Sequence, residues 1–184
     1  RSSAAMPRLA LRGPDGQGAW ADAHCALTHA RLAIIDLSEA GAQPMRRGPL
    51  AITYNGEIFN YRELRAELQR RGHAFHSGSD TEVLLAGWQE WGEGLLPRLT
   101  GMFAFAIWDA ERRRLAAARD RFGEKPFLYA TSGLRLAFGS DLIACEAMLG
   151  ETRAVDPAAL RALFEIRFIP EPWSIAAGIA KLPP

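Results

Sequence analysis

The feature that most constrains the fold is a seven-residue apolar run, Met-Phe-Ala-Phe-Ala-Ile-Trp at 102–108. A run without polar alternation cannot leave one face of a strand in water, so it predicts a strand in the centre of a sheet. Three shorter runs follow and have the character of its antiparallel partners, at 115–118, 127–130 and 134–138. The second half of the chain is therefore expected to be largely an antiparallel sheet.

Two amphipathic helices are expected before this run. The first begins at Asn60, with Glu63 three residues further on, and the second begins at Ser79, with Glu82 at the matching position. Both pairs have the spacing of a capping box, in which side chains satisfy the free N–H groups of the first helical turn. The sequence therefore predicts two capped helices in succession.

Further elements lie on both sides of these helices. Apolar strands are predicted around 25–27, at 32–35 and at 50–54. A short helix begins at Asp156-Pro157, where aspartate caps and proline occupies the first helical position, and the tail beyond it is rich in proline. This order of strands, helices and further strands predicts an α+β fold in which helices cover sheet faces.

The composition is that of an ordinary globular domain. The 184 residues are enough for one core, 48% are apolar, and the formal net charge is +1 with both signs interspersed. This balance argues against nucleic acid or a membrane surface as the main partner. No apolar run approaches the roughly 20 residues of a membrane-spanning helix, and no secretory signal is expected. We therefore expect a cytoplasmic protein.

The cysteines and histidines show no metal-binding pattern. Cys25 and Cys145 lie far apart in the sequence, and the four histidines lack a ligand spacing such as two on one helix face. Cys25 sits among apolar residues, whereas a catalytic thiolate needs an electropositive, partly exposed setting. Both cysteines are therefore predicted to be free core thiols, and no metal site is expected.

A polar triplet, Asn55-Gly56-Glu57, follows the strand predicted at 50–54 and has no packing role there. An amide side chain beside a glycine N–H that a ligand can approach closely is what an oxyanion hole requires. The neighbouring carboxylate suits a ligand ammonium, so the grouping suggests acyl transfer on an amino-acid amide. Because Asn-Gly is also a strong turn dipeptide, the triplet could instead be only a turn between strand and helix.

Two more charged residues are candidates for ligand contacts. Arg31 lies at the start of the predicted 32–35 strand, where its guanidinium could fork onto a ligand carboxylate or could simply be a surface group. Asp80 follows the cap residue Ser79, so it is either an ordinary first-turn carboxylate or a spare one that is free to meet an ammonium. The charged segment 119–126 is interpreted as an internally paired hairpin connection rather than a catalytic element.

Taken together, these patterns resemble the class II glutamine amidotransferase domain of glutamine-dependent asparagine synthetases. Seven motifs carry the resemblance along nearly the whole chain: Arg-Gly-Pro-Asp-Gly at 12–16, Arg-Leu-Ala-Ile-Ile-Asp-Leu at 31–37, Gly-Ala-Gln-Pro-Met at 41–45, Tyr-Asn-Gly-Glu-Ile-Phe-Asn at 54–60, Ser-Gly-Ser-Asp-Thr-Glu at 77–82, Gly-Met-Phe-Ala-Phe at 101–105 and Arg-Asp-Arg-Phe-Gly-Glu-Lys-Pro at 119–126. The chain closes on Lys-Leu-Pro-Pro at 181–184. Chance similarity does not produce so many motifs in one order.

The resemblance implies a fold and a set of roles. The fold is a four-layer αββα sandwich of two antiparallel sheets, the N-terminal-nucleophile hydrolase type, in which an N-terminal cysteine attacks the glutamine side-chain amide and its own α-amino group is the base. Asn55 (side chain) and Gly56 (N–H) are implied to form the oxyanion hole. The implied glutamine-binding residues are Arg31 for the α-carboxylate, Asp80 with Glu57 for the α-ammonium, and the backbone around Leu32 and Ile34.

The same resemblance implies parts that lie outside these 184 residues. The family begins with the nucleophilic cysteine on a first strand, and this chain begins inside the helix that follows, so we expect a domain truncated at its N-terminus and inactive alone. Residues 1–155 are expected to be the amidotransferase domain and 156–184 a short helix and linker. The linker would lead to a C-terminal synthetase domain that uses ATP and Mg²⁺ to amidate aspartate or a related carboxylate, while the amidotransferase domain needs no cofactor.

Two other functions stay open. One is a catalytically dead module that binds an amino acid or supports a synthetase partner, as in β-lactam synthetases, which look like this architecture without the nucleophile. The other is the same chemistry serving a sugar phosphate or phosphoribosyl acceptor. The sequence leaves the acceptor undetermined, and also the oligomeric state, for which a homodimer is one option.

Overall fold

A computed structural model describes residues 2–184. The nine strands are β1 (Gly16–Ala21), β2 (Ala26–Arg31), β3 (Met45–Arg47), β4 (Leu50–Ile58), β5 (Gly101–Asp109), β6 (Arg114–Arg119), β7 (Leu128–Ser132), β8 (Arg135–Gly139) and β9 (Ile179–Lys181). The five α-helices are α1 (Met6–Leu9), α2 (Tyr61–Arg70), α3 (Asp80–Trp91), α4 (Leu142–Leu149) and α5 (Pro157–Ile166). Short 3₁₀ segments occupy Ser2–Ala5, Ala10–Arg12, Glu39–Gly41 and Gly92–Arg98.

The described strands form three antiparallel sheets. The largest has the order β3-β4-β5-β6, the second has the order β8-β7-β9, and β1 pairs with β2 as a separate hairpin. The apolar run predicted to be central lies in β5, which has a neighbour on each side and is buried along nearly its whole length. That prediction is confirmed. The prediction that 127–130 and 134–138 pair with it is wrong, because those residues form β7 and β8 of the second sheet.

Helices cover the outer faces of the two main sheets. Leu64, Leu68 and Leu84 of α2 and α3 pack with Phe105 and other apolar residues of β4 and β5. On the other face of β5, Ala104 and Ala106 pack with Phe127, next to β7. The second sheet packs on α4, and α4 in turn contacts the N-terminal 3₁₀ turn. The four layers are therefore helices, sheet, sheet and helix, as the αββα prediction requires.

The expected caps are only partly confirmed. The Ser79 side chain accepts from the N–H of Thr81 and caps α3, but its expected partner Glu82 accepts from the N–H groups of His76 and Ser77 instead. Asp156 caps α5 as predicted. The expected cap pair of α2 is wrong, because Asn60 makes no cap bond and instead bonds the backbone of Arg98 and Thr100. A tertiary contact has taken the side chain that the local pattern assigned to the helix.

The C-terminal tail is more ordered than its proline content suggested. Strand β9 pairs with β7, and a bridge joins Val155 to Ala176. A proline-rich tail over 169–184 was expected to be irregular, and this is wrong where β9 forms, while the division at 155 into a domain and a following helix and linker stays a prediction. None of the helices among residues 2–184 is long and apolar enough to cross a membrane.

Candidate active site

The site is built on the part of β4 that extends beyond its short neighbour β3. Strand β3 pairs only with Leu50–Ile52 of β4, whereas β5 pairs with β4 along its full length. The backbone of Tyr54 is therefore free of a neighbouring strand on one side, and so is that of Ile58. Side chains fill these two places: Tyr54 N donates to Gln43 Oε1 at 2.7 Å, and Ile58 N donates to Asp80 Oδ2 at 3.0 Å.

Gly56 lies midway between Tyr54 and Ile58, whose N–H groups are bonded by these side chains. Backbone groups alternate in direction along a strand, so the Gly56 N–H points to the same open edge as those of Tyr54 and Ile58. Among the described residues, no side chain accepts from it. Gly56 has φ +153°, and a Cβ there would overlap the carbonyl oxygen of Met102 on β5. Glycine is therefore required by the close approach of β5, and its N–H is left exposed to a ligand.

Asn55 and Glu57 project from β4 toward the second sheet. Side chains alternate between faces, and Tyr54 and Ile58 occupy the helix-covered face. Asn55 donates to Ser140 Oγ at 3.5 Å, a residue that follows β8 of the second sheet. The turn that sequence allowed for this triplet is thus absent: residues 55–57 pair with Ala104–Met102 inside the sheet. The amide and the backbone N–H that an oxyanion hole needs are consecutive strand groups.

Asp80 is buried at the start of α3, with 4% of its surface exposed. Its Oδ2 accepts from the Tyr54 hydroxyl at 2.7 Å as well as from Ile58 N. The interpretation of Asp80 as a spare carboxylate is therefore wrong. Burial raises its pKa above the ordinary value, although the bonds from Tyr54 and Ile58 act in the opposite direction. A buried anion of this kind gains from a cation placed beside it.

Arg31 ends β2 rather than starting a strand. Its guanidinium donates to the carbonyl oxygens of Ser38 (2.9 Å) and Asp36, and so bends over the loop that follows the strand. A side chain at Gly41 would overlap the guanidinium. Two carbonyl bonds leave other N–H groups of the fork for a ligand carboxylate. Arg31 is thus oriented by the backbone of one loop and by the bare surface of Gly41.

The strand predicted at 32–35 is instead an exposed loop. Leu32 and Ile34 are 56% and 57% exposed. Two carboxylates hold the loop in place: Asp15 accepts from the N–H of Ala33 at 2.9 Å, and Asp36 accepts from the N–H of Gly78 at 2.7 Å. These bonds tie the loop to the turn before β1 and to the approach of α3. The apolar side chains of Leu32 and Ile34 remain at the mouth of the site.

One cavity of about 450 Å³ is lined by all seven site residues expected from the sequence: Arg31, Leu32, Ile34, Asn55, Gly56, Glu57 and Asp80. It lies between the two main sheets, and both sheets contribute to its walls. Its charged lining has three basic and three acidic side chains: Arg12, Arg31, Lys125, Asp36, Glu57 and Asp80. His29 also lines the cavity, but burial and then the positive charge of Arg31 lower its pKa to about 4, so it is neutral at pH 7. Balanced charges of both signs suit a small zwitterion.

Neither cysteine has the environment of a nucleophile. Cys145 is fully buried in α4, as predicted, and burial raises the pKa of its thiol to about 12. Cys25 is half-buried just before β2 rather than in the core, and burial raises its thiol pKa to about 11. Neither thiol lines the cavity. Among the described residues 2–184, no group of three or more His, Cys, Asp or Glu side chains could hold a metal ion.

Sequence reasoning missed three residues that shape the site. Gln43, Asp36 and Gly41 all fall in stretches that read as loops, and each acts through a contact with a residue that is distant or on another element. For Gln43 the sequence does contain a signal. The next residue, Pro44, has no backbone N–H and cannot donate to a neighbouring strand, so regular pairing is expected to stop there. For Asp36 and Gly41 the local sequence carries no comparable signal.

A comparison with known protein families identifies the family of this chain. A sequence model of the glutamine amidotransferase domain matches residues 2–184, and the chain therefore belongs to the glutamine amidotransferase domain family. The predicted resemblance to this family is confirmed.

Two curated relatives come from Bacillus subtilis (strain 168). Asparagine synthetase 3 (glutamine-hydrolyzing) is 44% identical over 160 residues, which cover 85% of this chain and 26% of the relative. Asparagine synthetase 1 (glutamine-hydrolyzing) is 39% identical over 175 residues, 94% of this chain and 27% of the relative. The chain thus spans about a quarter of the length of the curated relatives that it matches.

A solved structure gives independent support for the fold. The glutamine phosphoribosylpyrophosphate amidotransferase of B. subtilis, complexed with ADP and GMP, superimposes with a TM-score of 0.57 at 26% identity. The match covers 72% of this chain and 31% of the other. The predicted α+β sandwich of the N-terminal-nucleophile type is thereby confirmed.

Proposed function

We propose that this domain hydrolyses the side-chain amide of glutamine and passes the ammonia to a synthetase domain of the same protein. The observation that carries the proposal is the position of the Asn55 amide next to the free Gly56 N–H, in a cavity lined by the Arg31 guanidinium and the buried carboxylate of Asp80. Family membership supports the same chemistry. Two neighbouring, preorganised donors stabilise the oxyanion of a tetrahedral intermediate.

Glutamine is held as a zwitterion in this proposal. Its α-carboxylate binds the free N–H groups of Arg31, and its α-ammonium binds Asp80 and Glu57. The backbone around Leu32 and Ile34 closes the side of the pocket, because their loop is fixed by Asp15 and Asp36. The raised pKa of Asp80 fits this role, since a ligand ammonium compensates the buried charge.

The reaction needs a thiol that this chain's own cysteines do not supply. The family resemblance assigns it to a cysteine at a processed N-terminus, which residues 1–184 do not include. Its thiolate attacks the amide carbon, the carbonyl oxygen becomes an oxyanion between Asn55 and Gly56, and the C–N bond breaks as the α-amino group delivers a proton to the departing ammonia. Water then hydrolyses the thioester to glutamate.

The acceptor of the ammonia is inferred from the relatives. Two curated relatives are named as glutamine-hydrolyzing asparagine synthetases, so we propose aspartate or a related carboxylate, amidated with ATP and Mg²⁺ by a C-terminal domain. We also place the protein in the cytoplasm, and a homodimer remains a prediction. A catalytically dead module is less well supported, because the five groups that bind glutamine and its oxyanion stay together in one cavity: Arg31, Asn55, Gly56, Glu57 and Asp80.

The first test removes one oxyanion donor in the full-length protein. Asn55→Ala should lower kcat for glutamine hydrolysis by roughly a hundredfold to a thousandfold, the usual cost of losing such a donor. Asn60→Ala is the matched control, because that amide bonds Thr100 and Arg98 and does not line the cavity. A loss below about tenfold in Asn55→Ala would remove the residue from the oxyanion hole.

A second test addresses the carboxylate site. Arg31→Ala should raise the KM for glutamine by about tenfold to a hundredfold, the cost of losing charged hydrogen bonds, with a smaller effect on kcat. Arg62→Ala is the control, since Arg62 lies on α2 and stacks on Tyr61 outside the cavity. An unchanged KM in Arg31→Ala would exclude this residue from glutamine binding.

A further inference from the structure

Gln43 takes the place that a neighbouring strand would occupy beside Tyr54. Its Oε1 accepts from Tyr54 N at 2.7 Å, and its Nε2 donates to Tyr54 O at 3.1 Å. These are the two backbone bonds that a strand partner makes to one residue in an antiparallel ladder. The side chain therefore acts as a strand of a single residue.

The register of β3 shows what this substitution prevents. Strand β3 places Met45 opposite Ile52. Continued backward along the chain, the same register would place the backbone of residue 43 opposite Tyr54 and that of residue 41 opposite Gly56. If β3 were extended in this register, a backbone carbonyl of β3 would accept from the Gly56 N–H and cover it. Because the Gln43 side chain closes the ladder at Tyr54, the edge stays open at Gly56.

The first turn of α3 anchors both sides of this opening. Gln43 Nε2 also donates to Thr81 Oγ1 at 3.4 Å, and the adjacent residue Asp80 accepts from Ile58 N at 3.0 Å. Thr81 is 2% exposed and Asp80 is 4% exposed, so neither anchor is free to move into solvent. The Gly56 N–H thus lies between two fixed backbone positions of the same strand.

Gln43 has no donor left for a ligand. The two hydrogens of its Nε2 are used by Tyr54 O and Thr81 Oγ1. Although the residue lines the cavity, it contributes through the strand and not by donating to a bound molecule. A role in fixing the direction of the oxyanion donor follows from this arrangement.

We propose that Gln43 is a positioning residue for glutamine hydrolysis, which ends the pairing along this edge of β4 at Tyr54, two residues before Gly56, and holds the Gly56 N–H toward the developing oxyanion. This inference rests on the proposed function. It adds that the competence of the oxyanion hole depends on a side chain that touches neither glutamine nor the attacking thiol.

The test replaces Gln43 with methionine, which keeps the length of the side chain and removes every hydrogen bond. In the full-length protein, Gln43→Met should lower kcat for glutamine hydrolysis by roughly tenfold to a hundredfold, as expected for a misplaced donor. The KM for glutamine should change by less than about threefold, since hydrogen bonds to the substrate are retained. Gln89→Met is the control, because that amide lies on the surface and bonds Arg47 away from the cavity.

A second readout separates positioning from a general loss of structure. The aldehyde analogue of glutamine forms a thiol adduct whose oxygen occupies the oxyanion hole, whereas glutamate places no oxyanion there. Gln43→Met should weaken the aldehyde by the same factor as kcat/KM and leave glutamate affinity unchanged. Equal losses for both ligands, or an unchanged kcat, would overturn the inference while the proposed function stands. Absence of glutamine hydrolysis in the unsubstituted full-length protein would overturn both.

Discussion

Asp80, which we propose to bind the glutamine ammonium, carries a cost to folding. Its carboxylate is buried and accepts from Tyr54 and Ile58, and burial still raises its pKa above the ordinary value of 3.8. A group whose pKa is raised in the folded state binds its proton more tightly there than in the unfolded chain. The charged form of Asp80 therefore opposes folding until a cation neutralises it.

Replacing Asp80 with asparagine should reveal this cost as a pH dependence. As pH rises from about 3.8 through the raised pKa, the free energy of unfolding of the unsubstituted protein should fall relative to that of Asp80→Asn. Urea unfolding at several pH values between 4 and 7 measures the difference, and the same variant should bind glutamine at least tenfold more weakly. A difference in stability that is independent of pH, or one with the opposite slope, would contradict the prediction.

The assignment of Asp80 also marks the limit of sequence reasoning for single residues. The sequence predicts Ser79 as the cap of α3, and this prediction leaves Asp80 without a local partner. Its partners are Tyr54 and Ile58, which lie on β4 and are separated from it by all of α2. A local pattern cannot register a bond between elements, so the carboxylate was identified and its surroundings were not.

At the scale of elements, contacts with distant residues decide two structures that the local sequence pattern predicts wrongly. Asn55-Gly56 is a turn dipeptide in isolation, yet it continues β4 because β5 pairs with it along the entire strand. The apolar stretch at 32–35 looked like a buried strand, yet it is a loop held by Asp15 and Asp36. In both places the deciding contacts come from residues distant in the chain.

The connection between β6 and β7 confirms one part of its prediction and contradicts another. It was predicted to be an internally paired hairpin, and it is internally bonded, but it crosses from one sheet to the other. Asp120, 1% exposed, accepts from the N–H groups of Phe103, Phe122, Glu124 and Lys125 at 3.0–3.1 Å. One carboxylate thus organises the whole crossover.

Removal of this carboxylate should destabilise the domain strongly. Asp120→Ala leaves several backbone donors without a partner, so the free energy of unfolding should fall by about 3 kcal/mol or more. Burial raises the pKa of Asp120, but the four N–H bonds outweigh it and the pKa is lowered from 3.8. The stabilisation is therefore complete above 3.8 and is lost as pH falls through the lowered pKa.

Chemical denaturation at pH 7 and in acid measures this effect. Glu111→Ala is a suitable control, because Glu111 is an exposed acid in the turn between β5 and β6, and its loss should cost less than about 0.5 kcal/mol. Equal stabilities of the two variants at pH 7 would show that the crossover does not depend on Asp120.

At the scale of the whole molecule, the two-sheet architecture was foreseen only through the family resemblance. The strands β5 to β8 are all antiparallel and similarly apolar, and nothing in their sequence states which sheet each one joins. The structure separates them by the crossover and adds β9 to the second sheet. Residues near the C-terminus thereby become part of the core: Ala176 and Ile179 are 6% and 3% exposed.

The C-terminal segment should consequently be required for stability. Arg119 donates to Leu182 O at 3.0 Å and pairs with Glu171, and both contacts are lost along with β9 in a chain that ends at residue 155. Relative to residues 1–184, that shorter chain should melt roughly 10 °C lower or fail to unfold cooperatively. Thermal unfolding followed by circular dichroism measures the change.

Deletion of only the exposed residues Pro183 and Pro184 provides the control and should shift the midpoint by less than about 2 °C. If residues 1–155 melted at the same temperature as 1–184, the boundary at 155 would be that of an independent folding unit.

The exposed N–H of Gly56 has a consequence for how such a site can change over generations. A main-chain N–H is common to every residue except proline, so among substitutions at position 56 only proline deletes it, whereas most codon changes at position 55 delete the Asn55 amide. Substitution of Gly56 by any other residue is disfavoured, because a Cβ there would overlap the Met102 carbonyl oxygen. Substitutions that change the direction of this N–H are therefore expected at the residues that hold the neighbouring backbone, namely Gln43, Thr81 and Asp80.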